Sequence, residues 1–351
     1  MTVGARQVVF AIPGDLQART GGYGYARRMI QALGACGWQV QVLTLSARFP
    51  QPDAQALAEA DAAFAALPDG CCVLVDGLAF GVLDALAARQ ASRLRLCALV
   101  HHPLGLEAGL EPARAQALLA SERAALAQVR SIVTTSHTTA HWLRTHFDLD
   151  QARLHVALPG LDRPAAVATP APPGTPLRIL AIGALIRRKG LDLLIDALAP
   201  LQALPWTLRI VGPERDAATA QALREQVASC RLQERIRFVG EVAQTAPELA
   251  RADLFALPSR HEGYGMVFAE AMAHGLPVLA CRAGAVPEVV PPSAGVLVPV
   301  EDVAALTEAL RTLLTDQPLR ALLGAGARQA ALQLPGWEDS ARVLVQALEA
   351  A

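Results

Sequence analysis

Pro258-Ser-Arg-His-Glu-Gly-Tyr-Gly-Met-Val-Phe-Ala-Glu-Ala-Met-Ala-His-Gly275 leads from a short apolar run, 254–257, through two glycines into a segment of helical character. A strand that passes into a helix through a glycine-bearing turn is the unit of a parallel sheet, because parallel neighbours need a crossover and the crossover is usually helical. The turn carries a chemistry as well. Its backbone N–H groups and the positive end of the helix dipole point beyond the strand, which suits an anion such as phosphate. Glu262 stands before the turn and Glu270 eight residues later, inside the helix. Ionised carboxylates only accept hydrogen bonds, so this pair fits hydroxyl-rich groups on either side of a diphosphate, a sugar and a ribose. Taken singly, Glu262 also reads as a helix-capping acid and Glu270 as a solvated helix residue. Their combination with Gly263, Tyr264, Gly265 and Met266 favours binding, as does the setting of Glu270 among Val267, Phe268, Ala269, Ala271 and Met272, where an unpaired charge is costly.

The same alternation runs outward in both directions. Apolar runs at 8–12, 40–45, 72–75, 96–100 and 131–135, and again at 178–182, 208–211, 236–239, 254–257, 278–280 and 295–298, read as strands between Ala- and Leu-rich helical stretches such as 190–201 and 217–231. The pattern predicts an α/β protein of two Rossmann-like, doubly wound domains facing across a cleft. Their expected spans are 1–163 and 177–335, joined by a linker at 164–176; the stretch 163–176 holds five prolines with no periodicity. A last helical segment covers 336–351. Ligands of open parallel sheets sit beyond the carboxyl ends of the strands, so the useful residues are expected in strand-to-helix turns.

Three further turns fit that expectation. Gly183-Ala-Leu-Ile-Arg-Arg-Lys-Gly190 places Arg187, Arg188 and Lys189 where cations can meet a diphosphate. Lys189 is the single lysine beside 30 arginines, a position that has escaped a strong compositional drift. Pro13-Gly-Asp-Leu-Gln-Ala-Arg-Thr-Gly-Gly-Tyr23 is a glycine-bearing turn in which Gly21 and Gly22 let backbone approach a ligand. His101 and His102 end the run at 96–100.

Composition narrows the partners. With 53% hydrophobic residues in 351 and a net charge of −1, the chain can fill two cores and carries no basic surplus for nucleic acid. Its six cysteines fall mostly in apolar runs without CxxC spacing, as buried free thiols do. No apolar run reaches the roughly 18 residues of a membrane span and no signal peptide is apparent, so a cytoplasmic protein is expected. Tyr23, Tyr25, Arg27, Arg28 and Met29 fit either peripheral contact with the inner face of the cell membrane or a buried first helix.

Residues 183–190, Val239-Gly240, the pair Glu262 and Glu270, and Ala271-Met-Ala-His-Gly-Leu-Pro-Val278 closely resemble glycosyltransferase family 4, retaining enzymes of the GT-B fold. The resemblance covers nearly the whole chain and is sharpest over 177–300. It implies that Glu262 approaches the donor-sugar hydroxyls, that Glu270 binds the ribose, and that backbone amides from Gly263 to Met266 hold the diphosphate. Lys189 matches the family's diphosphate lysine, which also offsets leaving-group charge, and His101 matches a histidine facing the transferred sugar. Gly21 and Gly22 would approach the donor phosphate or the acceptor. The family's arginine falls on Ala184, so Arg187 or Arg188 is expected to reach the phosphates instead. His102 stands where the family often has an aspartate. Ser136 and Pro159-Gly-Leu-Asp162 follow the family's pattern at the domain boundary, and the last helix would cross back onto the N-terminal domain.

The implied activity moves a hexosyl group from a UDP-sugar or GDP-mannose to a glycan, lipid-linked or small-molecule acceptor, with no metal or other cofactor. Rival readings are a phosphorylase or epimerase of the same fold, or a catalytically weak nucleotide-sugar-binding protein. A hydrolase using paired carboxylates fits poorly, because Glu262 and Glu270 are spaced along one turn-and-helix segment rather than flanking a bond.

Overall fold

The computed structural model describes residues 6–164, 168–169, 172 and 174–351. The chain divides into two compact units, Met1–Gly160 with Pro335–Ala351, and Leu161–Leu334. The expected Pro-rich linker at 164–176 lies partly outside the described residues.

The first unit is built on strands β1 (Arg6–Pro13), β2 (Trp38–Leu45), β3 (Cys72–Asp76), β4 (Arg95–Val100), β5 (Ser131–Thr134) and β6 (Leu154–Val156). They pair in parallel in the order β2-β1-β3-β4-β5-β6. Helices α1 (Gly21–Ala35), α2 (Ala54–Ala65), α3 (Gly77–Phe80), α4 (Asp84–Gln90), α5 (Pro112–Ala127) and α6 (His137–Phe147) form the crossovers. Central strands are buried on both faces, which is why β3 and β4 read as continuous apolar runs rather than alternating ones. Val9 and Ala11, Val73 and Val75, and Leu96 and Ala98 share one core with Phe64, Phe80 and Leu86, as the period of two requires. Strand β6 escaped the sequence reading: three residues, Leu-His-Val, are too few to show a period.

The second unit repeats the plan with β7 (Leu177–Ile182), β8 (Trp206–Val211), β9 (Ile236–Gly240), β10 (Leu254–Leu257), β11 (Val278–Cys281) and β12 (Gly295–Val298). Its helices are α7 (Leu191–Leu198), α8 (Ala217–Ser229), α9 (Ala246–Leu249), α10 (Met266–Ala273), α11 (Val286–Val289), α12 (Val303–Thr315) and α13 (Gln317–Ala331). The last helix, α14 (Trp337–Ala350), belongs to the first unit and packs on α1. Among the described residues, no helix is long and apolar enough to cross a membrane.

Strand order in the second unit is β12-β11-β10-β7-β8-β9, so the winding reverses between β7 and β10. Such a reversal opens a crevice at the carboxyl ends of the two strands, because their crossover helices leave on opposite faces. The pair is held in register at its other end. Arg178 clamps Asp253, donating from Nε at 2.9 Å and Nη2 at 2.8 Å, while the Arg178 N–H reaches the same carboxylate at 2.8 Å. The turns after β7 and β10, far apart in sequence, therefore emerge side by side.

A candidate nucleotide-sugar site

After β7 the chain makes a tight 3-10 turn, Arg187–Lys189, and enters α7 through Gly190 at φ +65°. A side chain there would overlap the carbonyl oxygen of Pro258, so the turn after β7 lies directly against the start of the turn after β10. Arg260 stitches the two together. Its guanidinium grips both Asp192 oxygens at 2.7 Å, reaches Glu301 at 2.5 Å and the Arg187 carbonyl at 2.7 Å, and its backbone N–H donates to the Arg188 carbonyl at 2.8 Å.

Within that frame Lys189 Nζ donates to Glu262 Oε1 at 2.6 Å, and Arg188 Nη1 stands 3.5 Å from Glu262 Oε2 and 3.1 Å from the His261 carbonyl. Ser259 donates to Glu262 Oε1 at 2.6 Å. The Lys189 and Glu262 side chains are only 14% and 7% exposed, so water does little to screen them. Burial pushes the Glu262 carboxyl up, but the Lys189 and Arg188 charges, with hydrogen bonds from Lys189 and Ser259, outweigh it and hold the group below the ordinary carboxylate range. Removing one partner from so buried a pair costs about 3–5 kcal/mol, since the other charge is left uncompensated.

The turn then rises through Gly263 and Tyr264 to Gly265, the N-cap of α10 at φ +93°. A Cβ at Gly265 would sit 2.5 Å from the Phe268 ring, so sterics and backbone conformation both demand glycine. The Tyr264 ring is buried, which leaves the backbone of 263–266 as its contribution to any ligand. The amides of Met266 and Val267 open α10 and belong to the group an α-helix leaves without intrahelical acceptors. Two turns on, Glu270 is half-buried; burial raises its carboxyl above the usual range, and a 3.3 Å hydrogen bond from Thr245 offsets only part of that. No cation is paired with Glu270 among the described residues, a setting that suits a neutral hydroxyl-bearing ligand better than phosphate.

Of the two arginines that could stand in for the residue missing at Ala184, Arg187 is exposed and Arg188 lies against Glu262. Ser259, Arg260, Asp192 and Thr245 were not singled out from the sequence. Their roles come from neighbours on other turns, and no local spacing signals them.

In the first unit the turn after β1 is shorter than expected. Thr20 caps α1 by accepting from Tyr23 N–H at 3.2 Å, so Gly21 and Gly22 are the first residues of the helix rather than part of a flexible loop. A Cβ at Gly22 would lie 3.6 Å from His101 Nε2, so Gly22 and His101 border the same space. His101 Nε2 stands 3.5 Å from Asp76 Oδ2, and the ring meets Tyr25 edge-on at 5.5 Å between centroids. Asp76, at the end of β3, was missed: its other oxygen caps α3 through Leu78 N–H at 2.9 Å. His102 pairs instead with Glu107 at 3.1 Å. Ser136 caps α6, accepting from Thr139 N–H at 3.0 Å.

The structure shows what the residues of the first helix touch. Tyr25 and Met29 are fully buried, the Tyr23 hydroxyl donates to the Pro13 carbonyl at 2.6 Å, and Arg27 donates to the carbonyls of Leu16 and Ala18. Arg28 lies over the Trp337 ring of α14. Tyr25 and Met29 are thus core residues of α1, while Tyr23, Arg27 and Arg28 are half-buried.

Residues 176–316 match the family described as Glycosyl transferases group 1, and residues 72–163 match Glycosyltransferase Family 4. The chain belongs to glycosyltransferase family 4. This family 4 member is 32% identical over 260 residues to a D-inositol 3-phosphate glycosyltransferase of Jonesia denitrificans, covering 67% of the chain and 60% of the relative. It is 36% identical over 176 residues to a GDP-mannose-dependent monoacylated alpha-(1-6)-phosphatidylinositol monomannoside mannosyltransferase of Corynebacterium glutamicum, covering 47% and 45%. The chain thus spans 60% and 45% of the length of these relatives, under two thirds of each. Its fold is that of sucrose-phosphate synthase from Thermosynechococcus elongatus, with a TM-score of 0.83 at 23% identity over 97% of this chain and 98% of the other. The GT-B expectation is met, with two parallel six-stranded sheets.

Proposed function

We propose that the chain is a retaining glycosyltransferase that transfers a hexosyl group from a nucleotide diphosphate sugar to an acceptor hydroxyl. The observation that carries this reading is the convergence of Lys189 and Arg188 on the buried Glu262 carboxylate, beside the amides that open α10. Cleavage of the glycosidic bond leaves negative charge on the departing diphosphate, and preorganised cations in a poorly screened site stabilise that charge as it develops. Without ligand, Glu262 neutralises the cations; with donor bound, the diphosphate shares Lys189 and Arg188, and Glu262 turns its acceptor capacity to sugar hydroxyls. Arg188 takes the place of the family's second cation, and Glu270 takes the ribose. His101 meets the transferred sugar, with Gly22 leaving room beside it. Because side chains supply the positive charge, turnover is expected to persist in EDTA.

The donor reading is a UDP-sugar or GDP-mannose, the latter being the donor named for the Corynebacterium relative. Acceptors of the glycan, lipid-linked or small-molecule class fit, as does a cytoplasmic setting. A thermal-shift screen of UDP-, GDP- and ADP-sugars, followed by an assay for released nucleotide, tests the proposal, since ligand binding raises the melting temperature whatever the acceptor. Stabilisation without release by any donor would reduce the protein to a binder. Sugar phosphate formed only when inorganic phosphate is supplied would make it a phosphorylase.

A further inference from the structure

Glu122 of α5 is a buried carboxylate that the donor site does not use. The residue is 1% exposed, its Oε2 accepts the Leu104 N–H at 3.0 Å, and its Oε1 has no partner among the described residues. Leu104 lies in the short loop that carries His101 and His102 away from β4. The loop is seated closely on the helix, for a Cβ at Gly105 would stand 2.5 Å from the Ala115 carbonyl oxygen and would overlap Leu119. On its other side the Leu104 side chain fills the space that a Cβ at Gly81 would need, 2.6 Å from Leu104 Cδ1. A buried carboxylate is among the costliest groups to keep in a core, and here its one hydrogen bond goes to the backbone of the loop that sets His101.

We propose that Glu122 is a positioning residue for the glycosyl-transfer reaction, anchoring the loop at 101–107 so that the His101 side chain is held in one place. The proposal rests on the reading of His101 as the group that meets the transferred sugar.

The elements packed on α5 bear few charges that could face Glu122. Across the loop His102 is paired with Glu107, and on α4 Asp84 accepts from Ser121 while Arg89 is bound to Asp61. Burial therefore dominates, pushing the Glu122 carboxyl up to about 8 against the pull of the Leu104 hydrogen bond. The fold prefers the neutral acid. Its contribution to stability is full below pH 4.5, the ordinary value, and is lost as pH rises to about 8.

The test uses the full chain with Glu122→Gln and Glu122→Ala, and His101→Ala in parallel. Gln keeps an acceptor for Leu104 and cannot titrate; Ala removes the anchor. The expected result has three parts. Amide exchange in the 101–107 peptide quickens in Glu122→Ala and stays slow in Glu122→Gln. The kcat for donor turnover falls about tenfold or more in the Ala variant and recovers in the Gln variant, while nucleotide affinity is unchanged in both. The melting temperature of the Gln variant rises relative to the unsubstituted chain between pH 5 and 8. Unchanged exchange in Glu122→Ala overturns the proposal, as does a kcat loss in Glu122→Gln equal to that in Glu122→Ala, or a parallel loss of nucleotide affinity. Full turnover by His101→Ala would sink the reading of His101 instead, and the exchange rates would still decide whether Glu122 anchors the loop.

Discussion

The two units each reverse the winding of their sheet once and load the reversal differently. In each, the order of strands reverses once, between β1 and β3 in the first and between β7 and β10 in the second. Around the second reversal stand Lys189, Arg188, Arg260, Asp192 and Glu262, a dense and mutually neutralising set of charges. Around the first stand a histidine, one buried aspartate, an aromatic ring and two glycines. Topology alone thus makes a crevice and says nothing of its chemistry. The charged crevice is fit to hold a diphosphate, while the sparsely polar one is fit to admit varied acceptors beside a single positioned histidine.

Breaking the charged crevice should have the largest effect. Lys189→Ala removes the cation nearest Glu262 and is expected to lower kcat by about 10²–10³-fold, as loss of one preorganised transition-state donor does, with a smaller change in donor KM. Steady-state release of nucleotide from the donor measures it; a wild-type kcat would remove Lys189 from the chemistry. His101→Ala, on the other side of the comparison, should cost about tenfold in kcat and leave nucleotide affinity alone, because the proposed nucleotide-binding residues belong to the second unit. Should nucleotide affinity collapse as well, the division of labour between the crevices is wrong.

Glu270→Ala should weaken nucleotide binding by about tenfold, the worth of a charge-assisted hydrogen bond to a ribose, and calorimetric titration with UDP and GDP would show it. The two buried carboxylates also set opposite pH limits. Glu262 is held below its ordinary value, so its ion pair contributes stability above pH 4.5 and loses it as pH falls below that. Glu122 is raised, so its contribution disappears on the alkaline side instead. Melting temperatures from pH 3.5 to 9 should fall at both ends, and Glu122→Gln should flatten only the upper one. The smallest effect is expected from Ala184→Arg, which restores the family's residue where Arg188 already supplies a cation: donor KM within about threefold of the starting protein. A large gain would mean that Arg188 does not reach the phosphates.

Much of the fold and of the candidate site is legible in the sequence. Lys189, Glu262, Glu270 and the glycines of the turn at 263–266 lie in two compact motifs whose local spacing carries their meaning. What stayed hidden was relational. Arg260 and Asp192 are unremarkable singly and lock two turns only as a pair. Glu122 looks like any helix glutamate until its neighbours enclose it. Residues 23–29 read as well for a membrane as for a core, and only the folded structure shows that Tyr25 and Met29 are buried.

The sequence by itself determined the α/β alternation, the glycine-bearing turns from strand to helix and the family, because strand, glycine turn and helix are written in consecutive residues. Tertiary structure alone decided that the turn after β7 meets the turn after β10, which cation pairs with which carboxylate, and which groups surround His101. Those facts depend on strand order and on the desolvation of charges by distant neighbours, and neither is a property of any short stretch of chain.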